Sequence, residues 1–194
     1  EMLNLTILRD GKQVVEDSAG YRTVEPGTVQ DAFPQAGCST LAVDVFTGGA
    51  NCCFGQYIMT SCGQNDYLSF IEPYDGGLGE AGQLPDGKSM GYIIGDGAFM
   101  YYEPEGQKGD NPLSFSRVTS PRLQRFLVFE DGAWRADKPG EFADAYRAMA
   151  SEAKANKELE PSAKAIIETY YLAMAGDMAA AEEALRSGLP GQYA

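Results

Sequence analysis

The chain has 194 residues, 44% of them hydrophobic, and a formal net charge of −13 from 28 acidic and 15 basic residues. That much apolar material builds a folded core and excludes a disordered chain, and the length fits one domain or a domain with an appendage. The negative field, with no Lys/Arg cluster, excludes nucleic-acid phosphates and anionic membrane surfaces as partners, and no apolar run approaches the roughly 20 residues of a membrane-inserted helix.

Leu3, Leu5 and Ile7 alternate with Asn4 and Thr6, the period of a strand with one buried face. Asp10-Gly11 accepts the positive φ angles of a type I′ turn, and Val14 and Val15 begin the return strand. Residues 18–37 are poorer in pattern, punctuated by Pro26-Gly27 and Phe33-Pro34. Leu41, Val43 and Val45 predict a half-buried strand, broken by Gly48-Gly49. Phe54 to Thr60 and Asp66 to Ile71 follow as strands. Tyr92 to Ile94 and Ala98 to Tyr102 read as strands flanking Asp96-Gly97. Leu123 to Phe129, Asp131-Gly132 and Ala133 to Ala136 make the clearest hairpin.

The period lengthens near residue 140, where Phe142, Ala145, Tyr146 and Met149 fall at helical spacing. Pro161 starts a second helix with the stripe Ile166, Ile167, Tyr170, Tyr171 and Met174. Gly176 supplies a left-handed residue, Asp177 caps a third helix, and Met178, Ala181 and Leu185 are its expected buried side. The fold expected is α+β: a mainly antiparallel β meander (sheet, partial barrel or propeller-like) over residues 1–138. A C-terminal cap of two or three helices, residues 139–194, packs on it.

Cys38, Cys52, Cys53 and Cys62 lie within one β segment. An even cysteine cluster in a modest domain indicates disulfides in an oxidising compartment, periplasmic or secreted. A Cys52–Cys53 bridge strains the backbone, so the expected pairing sends each to a different partner, one to Cys38 and one to Cys62. A metal site is the rival reading, but no C-x-x-C pair occurs and the chain has no histidine.

The missing histidine also excludes Ser-His-Asp and Cys-His catalysis. Ser151 and Lys154 match S-x-x-K, but the S-D-N and K-T-G motifs that accompany it in serine β-lactamases are absent. Glu72 and Asp75 flank Pro73-Tyr74 and are the carboxylates a glycan hydrolase reading would use. Oxygen-rich loops at 64–66, 75–77 and 95–97 lack the D-x-[DN]-x-[DN]-G pattern of a calcium loop. Gly48-Gly49 and the region 76–82 lack the lysine and helix start of a phosphate loop. No cofactor is expected.

Thr47-Gly48-Gly49-Ala50-Asn51-Cys52-Cys53-Phe54 resembles a segment of a group of uncharacterised exported bacterial proteins, which carry Gly-Gly-Ala-His-Cys-Cys after a strand. Asn51 stands here in place of that histidine. Gly95 to Tyr101 and Ser120 to Gly132 resemble later segments of the same group. The resemblance implies an exported protein of similar architecture and carries no mechanism. The function expected is a non-catalytic binding or interaction module of the cell envelope, with an unknown protein or envelope component as partner. A carboxylate-based hydrolase is the alternative. Recognition is expected on loops that a rigid scaffold holds, around Asn65, Asp66, Tyr74 and Asp75.

Overall fold

The computed structural model describes residues 2–48, 54–72, 78–99, 115 and 120–189. Their architecture is α+β, with antiparallel sheets followed by three C-terminal helices. The strands are β1 (Leu3–Arg9), β2 (Lys12–Tyr21), β3 (Thr23–Pro26), β4 (Gln30–Asp31), β5 (Cys38–Phe46), β6 (Phe54–Cys62), β7 (Asn65–Ile71), β8 (Leu78–Gln83), β9 (Met90–Asp96), β10 (Leu123–Glu130) and β11 (Ala133–Ala136). The helices are α1 (Ala143–Ala155), α2 (Pro161–Met174) and α3 (Met178–Gly188). None is long and apolar enough to cross a membrane.

The chain divides into two compact units, and the division is not the expected one at 138/139. One unit is residues 1–84, 88–95 and 126–135; the other is 85–87, 96–125 and 136–194. The segment 96–125 thus groups with the helices.

In the strand unit, β1 and β2 form a hairpin; β3, β5, β6 and β7 run side by side in a second sheet with β4 also on β5; β8 to β11 make a third, in the order β11-β10-β9-β8. Side-chain alternation explains the layering. The odd-numbered residues of β5 and β6, Leu41, Val43, Val45, Tyr57 and Met59, face Leu5, Ile7, Val15 and Tyr21 of the hairpin. The opposite face of β6 presents Ile58 to Phe33, Tyr92, Ile94, Leu127 and Trp134. Both faces of β6 are therefore covered, and its even positions Gln56, Ile58 and Thr60 are buried.

The second core holds one polar chain. The Trp134 indole N–H donates to Thr60 Oγ1 at 2.8 Å, Thr60 and Thr40 hydroxyls lie 3.0 Å apart, and Thr40 Oγ1 donates to the Phe33 carbonyl at 2.9 Å. Thr40 gives its proton to Phe33, so Thr60 donates to Thr40, and each of these buried hydroxyls is satisfied. The Trp134 ring stacks on Phe33 at 5.6 Å and tilts against Tyr92 at 5.0 Å. At Gly91 in β9, a Cβ would collide with the Leu127 carbonyl and press on Leu84. Only glycine permits that approach.

Two of the Asp-Gly turns have the type I′ signature. Asp10 and Gly11 have φ of 50° and 75°, and Asp131 and Gly132 have 52° and 82°. Asp96-Gly97 does not close a hairpin. After β9 the described residues 97–99 are not strand, because Asp96 Oδ1 instead accepts the Ala98 N–H at 2.9 Å. The remainder of the expected strand to Tyr102 lies outside the described residues. The weakly patterned stretch 18–37 holds the end of β2, then β3 and β4.

The expected pairing of the cysteines is corrected. Cys38 and Cys62 are bonded to each other, 24 residues apart. They are direct cross-strand partners in the β5–β6 register, and facing Cβ atoms at such a position are within disulfide reach. Neither is left to pair with Cys52 or Cys53, which lie outside the described residues.

In the helical unit, Pro161 opens α2, Gly176 has φ of 83°, and Asp177 accepts the Ala180 N–H at 3.2 Å as the cap of α3. Tyr146, Ile166, Ile167, Tyr171 and Met174 are buried as expected. The expected buried side of α3 is corrected: Met178 is 59% exposed and Leu185 38%, and the buried residues are Ala181 and Ala184. Small residues let α2 and α3 approach closely; a Cβ at Gly188 would sit 2.5 Å from that of Ala165. A face of alanines is what such an approach requires.

Candidate functional site

The helical unit contains a cavity of about 590 Å³. Helical spacing builds its walls. From α1 and its C-terminal cap come Met149, Glu152, Ala153 and Asn156, at i, i+3, i+4 and i+7. From α2 and the residue before it come Glu160, Ala163, Ile167 and Tyr171, again one stripe. Glu158 and Leu159 of the connecting loop and the segment Ser120–Gln124 entering β10 complete it.

Burial sorts the lining into two zones. Ala153, Ala163, Ile167 and Tyr171 are buried, with Met149 and Leu159 half-buried, so the interior is mainly apolar. Arg122, Glu152, Asn156, Glu158 and Glu160 are exposed and form the mouth. Three carboxylates thus stand against one guanidinium. Among the described residues, no ion pair engages any of the four. The Tyr171 phenol joins the zones: its oxygen accepts the Gln124 N–H at 3.1 Å. Burial raises its pKa, the hydrogen bond from the Gln124 N–H offsets part of that rise, and the charges of Asp96 and Glu152 add to it. The ring is held by stacking on Tyr146 at 5.9 Å and by the edge of Tyr170 at 5.5 Å.

A partly buried charged network in the same unit adjoins this tyrosine cluster. The Tyr146 hydroxyl donates to Asp137 Oδ2 at 2.7 Å and the Tyr170 hydroxyl to Asp96 Oδ2 at 2.6 Å. Arg125 lies between the two carboxylates, donating to Asp137 Oδ1 at 3.3 Å and to the Asp137 carbonyl, with Asp96 Oδ2 3.8 Å away. Asp137 is 1% exposed and Tyr146 fully buried. One guanidinium and two tyrosine donors keep two carboxylates satisfied. This network ties α1 and α2 to the start of β10 and does not line the cavity.

The residues expected to form a binding loop have other partners or lie outside the described residues. Asp66 accepts the Arg9 guanidinium and, at 2.7 Å, the Ser61 hydroxyl. The hydrogen bond from Arg9, followed by that from Ser61, holds its carboxyl below the ordinary aspartate value. Asp66 thereby fastens the β1–β2 hairpin to the start of β7. Asn65 is exposed and pairs with Cys62 in the β6–β7 register. Tyr74 and Asp75 lie outside the described residues, so Glu72 has no described partner of a hydrolytic pair. Ser151 and Lys154 do not meet: Ser151 Oγ donates to the Arg147 carbonyl at 2.9 Å and Lys154 pairs with Glu168 at 3.1 Å. Among the described residues, no group of three or more His, Cys, Asp or Glu side chains is placed to hold a metal ion.

The polar residues of the cavity mouth escaped the sequence reading for an identifiable reason. Glu152, Asn156, Glu158 and Glu160 are polar or charged residues in a stretch rich in alanine and charge, where such side chains are ordinarily solvated. The signal was present in the spacing, since Glu152 and Asn156 share the apolar stripe of Met149 and Ala153. No family model, curated protein or solved structure matches the chain.

Proposed function

We propose that the chain is an exported binding module of the cell envelope, without catalytic chemistry of its own, and that its ligand occupies the cavity between α1, α2 and the start of β10. The observation that carries the reading is a concave site with an apolar interior and a mouth of charged side chains that no ion pair among the described residues neutralises. Binding sites commonly combine an apolar wall with a few polar groups that fix orientation. The Cys38–Cys62 disulfide supports the compartment, because such bonds persist where the surroundings are oxidising. Catalysis by acid–base or covalent chemistry lacks a recognisable apparatus: the chain has no histidine, and the buried Asp137 and half-buried Asp96 carboxylates are both engaged by Arg125 and a tyrosine.

The test is an amide-resolved NMR titration with a small-molecule library that spans anions, cations, sugars and neutral amphiphiles. Shifts confined to residues 120–124, 149–163 and 167–171 are expected. Shifts centred on Asn65 and Asp66 would move the site to the loop between β6 and β7. Turnover of a glycan or ester in the same mixtures, lost on replacing one carboxylate, would overturn the non-catalytic reading.

A further inference from the structure

The cavity's chemistry selects among ligand classes. Its mouth carries Glu152, Glu158 and Glu160 against Arg122 alone, on a chain of net charge −13. Anions are repelled by that field and cations are drawn to it. The interior, however, offers Ala153, Ala163, Ile167 and Met149, which gain nothing from a hydrated inorganic ion. Water leaves such a surface for hydrocarbon. One further group inside points to a ligand. Tyr171 is 6% exposed and lines the cavity. Its oxygen accepts one hydrogen bond, from the Gln124 N–H, and among the described residues nothing accepts its own proton. A buried phenol normally has a partner for that proton.

We infer, resting on the reading of this cavity as the ligand site, that it takes an organic cation: a hydrocarbon body inside, and an ammonium or guanidinium at the carboxylate mouth. The body lies against Ala153, Ala163 and Ile167. The charged end meets Glu152, Glu158 and Glu160, and an ammonium can also donate to the second lone pair of the Tyr171 oxygen. A polar acceptor near the head group, such as a hydroxyl or amide carbonyl, takes the phenol's proton. A zwitterion of amino-acid type is disfavoured, because its carboxylate finds one guanidinium among three like charges.

Three probes with one body and different heads separate the terms: 4-phenylbutylammonium, 4-phenylbutanol and 4-phenylbutanoate, with phenylalanine as the zwitterion. Each is titrated into the full chain with amide NMR as the readout. The ammonium is expected to bind tightest, then the alcohol, with the carboxylate weakest. Glu152→Gln is expected to weaken ammonium binding about two- to five-fold, the range for one solvent-accessible ion pair, and to leave the alcohol unchanged. Replacing all three glutamates with glutamine is expected to bring ammonium and alcohol together. Raising the salt to about 1 M, where screening reaches about 3 Å, is expected to weaken the ammonium alone. These three glutamates are exposed, so the variants should fold, which the unchanged amide spectrum verifies.

Equal binding of alcohol and ammonium in the parent protein, or tighter binding of phenylalanine or the carboxylate, overturns the cation assignment while leaving the cavity as the site. Absence of cavity shifts with all four probes, or shifts elsewhere, overturns the cavity itself.

Discussion

Tyr146→Phe is the most informative single perturbation of the helical unit. Tyr146 is fully buried and gives its proton to Asp137 at 2.7 Å. Phenylalanine keeps the ring, its stacking on Tyr171 and nearly all of the volume, so the cavity contribution is small. What is lost is a hydrogen bond to a buried carboxylate, a class contributing about 1.5–3 kcal/mol. For a chain of this length each kcal/mol moves Tm by about 2–4 °C. The variant should therefore melt about 3–12 °C lower by differential scanning calorimetry at pH 7, with near-UV circular dichroism unchanged before the transition. Tyr170→Phe removes the matching bond to Asp96 at a half-buried ring and should cost less. Both carboxylates lean on Arg125, so the double variant should depart from additivity by about 0.5 kcal/mol or more. A Tyr146→Phe protein melting within about 1 °C of the parent would refute the claim that this network holds the helices.

Reduction of Cys38–Cys62 opens a loop spanning 24 residues and should cost about 3–4 kcal/mol on the chain-entropy account; unchanged melting with and without reductant would contradict it. Trp134→Phe removes the bond to Thr60 and part of a stacked core, and should destabilise the strand unit by about 2–3 kcal/mol in a urea titration. Alkaline pH should destabilise the protein, since burial raises the Tyr92 phenol to about 12 and raises Tyr146, Tyr170 and Tyr171 as well. Groups whose folded pKa exceeds the unfolded value of about 10 stabilise fully below that pH and lose the contribution as pH rises toward the folded value. Stability should therefore begin to fall near pH 10, and the slope should be shallower in Tyr146→Phe. A chain ending at Lys138 lacks Ala163 and Ile166, which cover Phe115, and should aggregate; a soluble, cooperatively melting fragment would show that this cover is dispensable.

The strand pattern was legible wherever one face is buried and the turn is short. Leu3 to Ile7, Asp10-Gly11 and the Asp131-Gly132 hairpin announce themselves because alternation and positive φ are local demands. The failures have non-local causes. Asp96-Gly97 has hairpin composition, but one Asp96 oxygen accepts the Ala98 N–H and the other is held by Tyr170, 74 residues on. Leu185 looked like a core residue of α3; close approach to α2 selects alanine and glycine instead. The Cys38–Cys62 pairing follows from strand register, which cysteine spacing does not reveal. The cavity was the least legible feature, because its mouth uses exposed glutamates that composition reads as solubility.

The strand unit is assembled from separated pieces of chain, and this sets a schedule for folding. Its last piece, residues 126–135, carries Trp134, whose partners include Ser69 and Thr60, 65 and 74 residues earlier. A chain emerging from the ribosome or a translocation pore from its N-terminus has Phe33, Ile58 and Tyr92 in hand long before the ring that closes over them. Until then that apolar layer stays open to solvent and to other chains, and closure over so wide a separation is slow. Trp134 is the only tryptophan. Its fluorescence would time the moment when the vectorially delivered chain becomes a finished core.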